Sequence, residues 1–557
     1  MGKLRRKYKS LKRYIQISEV LVKYGFSFVA EKLQEKGYIP RFVLRIDPLK
    51  EQASQGERLR RACEELGPTF IKLGQIISTR RDIIPEEIIN ELSKLQDNVV
   101  PVAVEEVKKV FRLEMNTEIE DAFAYFNENP IASASIGQVY EARLHSGEAV
   151  VVKIQRPNIK YNIQRDIEIL FDIAQLLDDH SDKKKPYRLV EIVQEFSYAI
   201  LKELDYSMEA KNTENFKENF KSDSHIEIPS IFWKYTSNKV ITMERIYGIK
   251  IMDIDELNKQ KWDLERLARI GAKSFMRQVF IHGFFHGDPH PGNIFAVSSS
   301  KIAFIDFGIV GYLDKSTMEH IRRMFTAAAS KDVDKVVDVL KDMDAISNET
   351  NIRRLKEEMS FLINFYYNMP LKKMHLSDVV KQFMAVAYEN QVKLPSQFAM
   401  LLKAIITVEG SGKLLYPNFT LSMIVKDSIK EIYLHRLKPE NMIKEARDYT
   451  DEILYGIKYL PKQIRSLLAR VEKNEIVFKF DQTGFKIIER ELMRLTNKIS
   501  LSLITSALIV ASSLIIQSNM GPLLWGVPVF GLIGYVLSSI LGVGIITTIL
   551  YNIWKQE

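Results

Sequence analysis

No Asp, Glu, Lys or Arg occurs between Lys498 and Lys555. An uncharged interval of that length cannot be laid over the surface of a globular domain without exposing it, and a bilayer core takes about 20 apolar residues per helix. The interval divides at "QSNMGP", Gln517 to Pro522, which leaves apolar stretches near 499–517 and 523–551. The pattern predicts a two-helix transmembrane hairpin over 499–553 with a short turn. Trp525, Tyr551 and Trp554 fall near its ends, where amphipathic rings favour the headgroup zone. Arg494, Lys498 and Lys555 flank the interval and the turn carries no positive charge, so the positive-inside rule places the body of the chain on the cytoplasmic side of a cell membrane. Gly534, Ser538 and Gly542 recur every four residues, a spacing that lets helices pack closely, within the hairpin or between two chains of a homo-oligomer. The competing reading, a buried hairpin in a soluble oligomer, fits poorly with the length of the interval.

The remainder reads as an ordinary soluble body. Of 557 residues, 46% are hydrophobic and 27% charged, enough for two or three domains. The net charge of +8 is concentrated at "KLRRKYKSLKR", residues 3–13, with seven cations and no acid. Such a run suits an anionic membrane face or a solvated helix surface; nothing else points to nucleic acid. Cys63 is the single cysteine, which excludes an intrachain disulfide and a cysteine-based zinc site and leaves it a packing role. Glu19 and Lys23 interrupt any signal-peptide core, and Arg6 stands where a myristoylation motif has Ser or Thr.

The order of elements predicts an α+β architecture. Residues 1–58 read as a basic helical region and 59–115 as a helical extension, with Phe70, Leu73 and Ile77 on one face and Ile88, Leu92 and Leu95 on another. Residues 116–345 carry a strand hairpin "IASASIGQVYEARLHSGEAVVVKIQRP", one long helix "RLVEIVQEFSYAILKELDYSMEAKNTENFKENF", strand-like runs "IPSIFWKY" and "NKVITMERIYGIKI", and "HGFFHGDPHPGNIFAV" followed by "KIAFIDFGIVGYL". Residues 346–498 read as helical, with a candidate hairpin at "EIVFKFDQTGFKI". Strand hairpin with a lysine, acidic helix, strands, polar loop and Asp-Phe-Gly is the order of parts in a protein-kinase fold.

Phosphoryl chemistry on ATP needs a cation for the phosphates, an acid to hold that cation, oxygen ligands for Mg²⁺ and a group that orients the nucleophile. Lys153 ends the second strand, where it would touch phosphate. Glu203, Asp205 and Glu209 lie on the long helix, the last two four apart and so on one face. In "HGDPHPGNIF", Asp288 and Asn293 have the Asp-to-Asn interval of a kinase catalytic loop, and Asp306 follows in "IDFG". Asn293 and Asp306 offer the hard oxygens that Mg²⁺ takes. His282, His286 and His290 are also spaced by four, but the intervening glycines and prolines exclude a continuous helix presenting three metal ligands.

With "KLGQ" at Lys72 to Gln75, the "ASAS" loop, "ELDYSMEA", "HGDPHPGN" and "DFG", residues 59–320 resemble the UbiB family of atypical kinase-like proteins. The resemblance implies a protein-kinase-like bilobal fold that binds ATP and Mg²⁺, with Lys153 paired to Glu209, Asp288 at the catalytic-base position, and Asn293 and Asp306 as metal ligands. Lys72 and Gln75 would belong to a KxGQ segment covering the active site, with Glu203 and Asp205 contacting its lysine. It also implies ATPase activity in support of ubiquinone biosynthesis, acting on a lipid or small-molecule isoprenoid precursor beside other biosynthetic enzymes. A nucleotide-gated scaffold for a membrane biosynthetic complex is the alternative. The loop Ala132, Ser133, Ala134 and Ser135 would hold ATP in a pose altered from that over glycine, and the absence of an Ala-Pro-Glu motif after Gly308 disfavours peptide substrates.

Overall fold

The computed structural model describes residues 2–45, 53–78, 80–95, 100–180, 188–347, 350–370, 373–425, 500–517, 522–524 and 527–556. The candidate hairpin at "EIVFKFDQTGFKI" lies outside these residues, as does the predicted helical run from 426 to Lys498. The chain divides into two compact units, Met1–Met442 and Ile443–Glu557.

The first unit opens with seven helices: α1 (Gly2–Lys23), α2 (Ser27–Glu35), α3 (Gln55–Leu66), α4 (Pro68–Ile77), α5 (Glu86–Leu92), α6 (Val104–Met115) and α7 (Ile119–Ala122). The basic run falls on α1. Its last residue, Arg13, grips Asp166 with two hydrogen bonds of 2.8 and 2.9 Å and also donates to the Leu66 carbonyl. A sheet follows, from β1 (Phe123–Phe126), β2 (Ala132–Ser133), β3 (Gly137–Leu144) and β4 (Ala149–Gln155). Alternation along the strands decides their faces. Tyr140, Ala142, Val150, Val152 and Ile154 are buried in one cluster with Phe111 of α6, which turns Lys153 to the opposite face.

Helices α8 (Ile159–His180), α9 (Leu189–Glu203) and α10 (Tyr206–Asn219) come next, then β5 (Ile226–Glu227) and β6 (Val240–Glu244), the latter closing the first sheet in the order β1-β3-β4-β6 with β2 on β3. The single long helix expected over this segment is two. Asp205 leaves helical geometry (φ −112°, ψ 91°) and accepts from the Ser207 N–H and hydroxyl. An aspartate doing this starts a new helix rather than continuing an old one. The run "IPSIFWKY" also departs from strand. It makes one bridge, Ile231 to Met243, flanked by backbone hydrogen bonds from Glu244 to Ser230 and from Phe232 to Thr242, and then a 3₁₀ turn at Trp233–Tyr235. Ser230 also donates from backbone and hydroxyl to the Glu244 carboxylate.

The rest of this unit is mainly helical, around a second sheet. Its elements are β7 (Ile249–Lys250), α11 (Ile254–Lys259), α12 (Leu264–Arg277), β8 (Phe284–His286), β9 (Ile294–Ser298), β10 (Lys301–Phe304), β11 (Val310–Tyr312), α13 (Lys315–Ala329), α14 (Val333–Asp342), α15 (Ile352–Tyr367), α16 (Leu376–Glu389) and α17 (Ser396–Leu415). The sheet order is β5-β10-β9-β7, and β8 pairs with β11. One continuous core runs from Phe216, Phe285 and Phe307 through Leu340 and Met384 to Leu402. The architecture is α+β and mostly helical.

Among the described residues of the second unit one helix, Ser500–Gln517, is long and apolar enough to cross a membrane. After the short pair β12 (Leu523–Leu524) and β13 (Val527–Pro528) comes helix Val529–Gln556, whose stretch Val529–Gly544 is apolar but shorter. A Cβ on Gly534 would collide with the Ser512 hydroxyl, and one on Gly531 would come within 2.5 Å of Ile516. These glycines let the two helices of the unit touch, whereas Gly542 faces open space. Ser512 and Ser538 are buried while Leu503, Leu514, Phe530 and Ile540 are exposed. At the helix contact the buried positions are thus small, and large apolar side chains face outward.

Candidate active site

The "ASAS" segment forms β2 and the turn into β3. No residue from 131 to 137 has positive φ, so no backbone angle of the turn demands glycine, and Ala and Ser fit it. Gly137 is set by space instead, since a Cβ there would strike the Tyr206 hydroxyl. The turn is closed by the Ala134 N–H to the Gly137 carbonyl at 2.8 Å. Arg156 braces it, donating to the Ala134 carbonyl (2.9 Å) and the Ser133 hydroxyl (2.8 Å). Ala132 is exposed, but Ser135 is fully buried with no hydrogen-bond partner for its hydroxyl. Arg156 was not among the residues singled out from sequence; its place just beyond a strand lysine carries no local signal.

Lys153 emerges from β4 and meets Glu209, one turn into α10, with Nζ 2.9 and 3.0 Å from its two oxygens. Asp306 lies 3.8 Å away on the other side, and the Tyr206 ring sits 5.0 Å below. The Glu209 side chain is 5% exposed and that of Lys153 15%. Burial raises Glu209, the Lys153 ammonium opposes it and Asp306 adds to the rise, leaving it at about 7. Burial works against the charge on Lys153, but two facing carboxylates overcome it and hold the amine protonated well above its usual value. Burial also opposes the Asp306 charge, yet Lys153 and the Gly308 N–H (2.9 Å) win and hold it below the usual carboxylate range. Asp306 is therefore a firm anion with 41% of its side chain open to the cleft.

The segment "HGDPHPGN" runs on from the last residue of β8. His282 ends a π turn, His286 closes β8 and His290 caps a 3₁₀ turn, so the three histidines occupy three different elements. His286 is buried against Phe216 and Phe307, and its Nδ1 accepts from the Asp288 N–H at 3.1 Å. Burial lowers its pKa, which keeps the ring neutral. Asn293 ends the 3₁₀ turn and its carbonyl accepts from Ile305 at 3.2 Å, which sets it beside Asp306. The loop rests on α17. Lys403 Nζ is 3.3 Å from Asp288 Oδ1, Ser411 donates to the Pro289 carbonyl, and a Cβ on Gly287 would come within 2.8 Å of Met400 Sδ. Lys403 was not anticipated, since it is remote in sequence from the loop it serves.

The extension reaches the same region. Lys72 of α4 is buried and pairs with Glu203 at 2.6 Å, and its charge contributes to lowering Asp306. Asp205, expected beside Glu203, caps α10. Gln75 donates to the Leu95 carbonyl at 3.2 Å and so ties α4 to the segment after α5. A Cβ on Gly74 would strike Leu95, so the glycine of KLGQ permits this approach. Cys63 lies in the same packing, its thiol pushed up by burial to about 12.

Comparison with known proteins gives three consistent matches. The ABC1 atypical kinase-like domain matches residues 94–340, the UbiB helical domain 359–420 and the ABC1/UbiB kinase-like C-terminal domain 483–551. A "Probable protein kinase UbiB" from Xylella fastidiosa is 31% identical over 539 residues, covering 94% of this chain and 97% of its own. One from Cellvibrio japonicus is 33% identical over 423 residues, 75% and 77% of the two chains. An uncharacterized protein from Clostridium pasteurianum is 31% identical over 552 residues, 97% and 99%.

Proposed function

The chain belongs to the UbiB (ABC1) family of atypical kinase-like proteins, and from that premise we propose that it is a membrane-anchored kinase-like ATPase that binds Mg-ATP. In this reading it supports isoprenoid-quinone biosynthesis of the ubiquinone type by acting on, or presenting, lipid precursors. The observation that carries the reading is the charge arrangement of Lys153, Glu209 and Asp306 beside Asp288 and Asn293.

Each residue has a task in this proposal. Protonated Lys153 neutralises phosphate oxygens while Glu209 keeps it extended. Anionic Asp306 and the Asn293 amide oxygen form the donor set that suits Mg²⁺, which takes one or two protein oxygens plus phosphates. When bound, the ion would neutralise charge on the phosphates. Asp288 orients an acceptor hydroxyl or water, and Lys72 on α4 closes the cleft from the extension side. The chain passes from β11 to α13 within a few residues of Gly308, too short a span to cradle a peptide.

The membrane part of the reading is a two-pass anchor with the kinase-like unit on the cytoplasmic side. The burial pattern of the helix pair supports it: Ser512, Ser538, Gly531 and Gly534 are buried while Leu503, Leu514, Phe530 and Ile540 are exposed, as lipid surroundings require. A second reading, a nucleotide-gated scaffold, draws on Lys403, which occupies the Asp288 carboxylate that a catalytic base would need free.

The test is Mg²⁺-dependent phosphate release from ATP by the full-length protein, with and without anionic liposomes. The expected result is release that rises with liposomes and falls by ~10² or more in Asp306→Asn, the order seen when one transition-state electrostatic contact is lost. Nucleotide binding without release in either condition overturns the ATPase reading in favour of the scaffold.

A further inference from the structure

Helices α13, α15, α16 and α17 surround a cavity of about 480 Å³ that the nucleotide chemistry does not use. Protein interiors leave few voids larger than a water molecule, and this volume falls in the range of ligand sites. Among the described residues its wall has no charged side chain, and the hydroxyls there are those of Tyr366 and Tyr367. An apolar wall of this kind accepts apolar guests. Four methionines, Met324, Met359, Met369 and Met374, are part of the lining. Their unbranched, polarisable side chains mould to a flexible guest better than branched ones do.

The mouth is different. Phe325 and Tyr367 are half exposed there, and the Lys331 ammonium stands 3.8 Å from the Tyr367 ring centroid. A guest with a long apolar tail and a polar or anionic head would find its tail matched inside and its head matched at this rim. The far wall is α17, where Leu402 and Ile405 face the cavity while Lys403 and Ser411 hold the catalytic loop. One helix separates the cavity from Asp288.

We propose that this cavity holds the hydrocarbon chain of a lipid, with the headgroup at the Lys331–Tyr367 rim. The inference rests on the lipid reading above and gives it a location. The chemistry, a flexible hydrocarbon chain, is shared by polyprenyl and fatty-acyl lipids.

The test uses full-length protein in nanodiscs of phosphatidylcholine and phosphatidylglycerol, photolabelled in parallel with a diazirine analogue of farnesol and with diazirine palmitate. Labelled peptides are mapped by mass spectrometry. The expected result is saturable labelling on α13, α15 and α16 by at least one probe, competed by its unlabelled parent, and the better probe identifies the source. Ala328→Trp and Leu362→Trp, which fill the cavity, should each reduce that labelling by about tenfold and spare the labelling of residues 500–556. Should a tryptophan variant not fold, competition on the unaltered protein decides. Labelling confined to residues 500–556, with none on α13, α15 or α16 of the unaltered protein, overturns the inference. Phosphate release is measured on the same preparations. Release without cavity labelling removes this site alone, and cavity labelling without release removes the proposed turnover alone.

Discussion

Glu209 offers a perturbation whose size follows from its surroundings. Its carboxyl is 5% exposed, faces Lys153 at 2.9 Å, and is raised by burial to about 7, against about 4.3 in an unfolded chain. A carboxyl raised on folding holds its proton more tightly in the native state. Its contribution is intact below the unfolded value and is lost as pH rises through the folded one. Each unit is about 1.4 kcal/mol, so about 3 kcal/mol should disappear between pH 5 and pH 8. At about 2 °C per kcal/mol for large domains, that is a fall in Tm of about 6 °C. Glu209→Gln removes this titration and should flatten the profile by that amount. The groups facing it do not confuse the comparison. Lys153 is charged and Asp306 ionised throughout the range, and the lowered titration of His286 is common to both proteins. The assay is thermal unfolding of full-length protein in detergent, followed by tryptophan fluorescence at both pH values. Parallel profiles for Glu209→Gln and the unaltered protein would refute the reasoning, because the ion pair would then be holding Glu209 as an ordinary carboxylate.

Asp205→Ala deletes the N-cap of α10 and should cost about 1 kcal/mol, seen as a drop of about 2 °C in Tm, while Asp205→Asn stays within a few tenths of a kcal/mol. In the second unit, Ser512→Cys with Gly534→Cys places two thiols at the helix contact. Oxidation should yield a disulfide within one chain, read as a mobility shift at monomer mass on a non-reducing gel. A crosslinked dimer instead would assign these residues to contacts between chains.

The parts of the site that could be read from sequence are those in which spacing along the chain is itself the chemical constraint. Asp288 and Asn293 share one loop, Asp306 follows the next strand, and alternation alone turns Lys153 away from the core formed by Val152 and Ile154. What escaped the reading was set by tertiary contact or by a local competition. "KELDYS" has good helical periodicity on both sides, so the preference of Asp205 for capping Ser207 was hidden beneath it. "IPSIFWKY" has strand composition, but its pairing with β6 is confined to Ser230–Phe232 before the chain turns at Trp233–Tyr235. Lys403 and Ser411 lie on a helix that is apolar around most of its circumference, which announces only burial. Their contacts with Asp288 and Pro289 arise because α17 packs beneath the loop. The cavity has no sequence signature, since the same apolar residues would serve a filled core.

The break between Leu204 and Asp205 has a mechanical consequence. Glu203 ends one helix and is fastened to Lys72 in the extension; Glu209 begins the next and is fastened to Lys153 in the sheet. A rigid rod would have tied the extension and the sheet into one lever, so that disturbing either end moved both. A joint between two short levers gives each ion pair its own support. Breaking the Lys72–Glu203 pair and preserving the Lys153–Glu209 pair thereby become separate events.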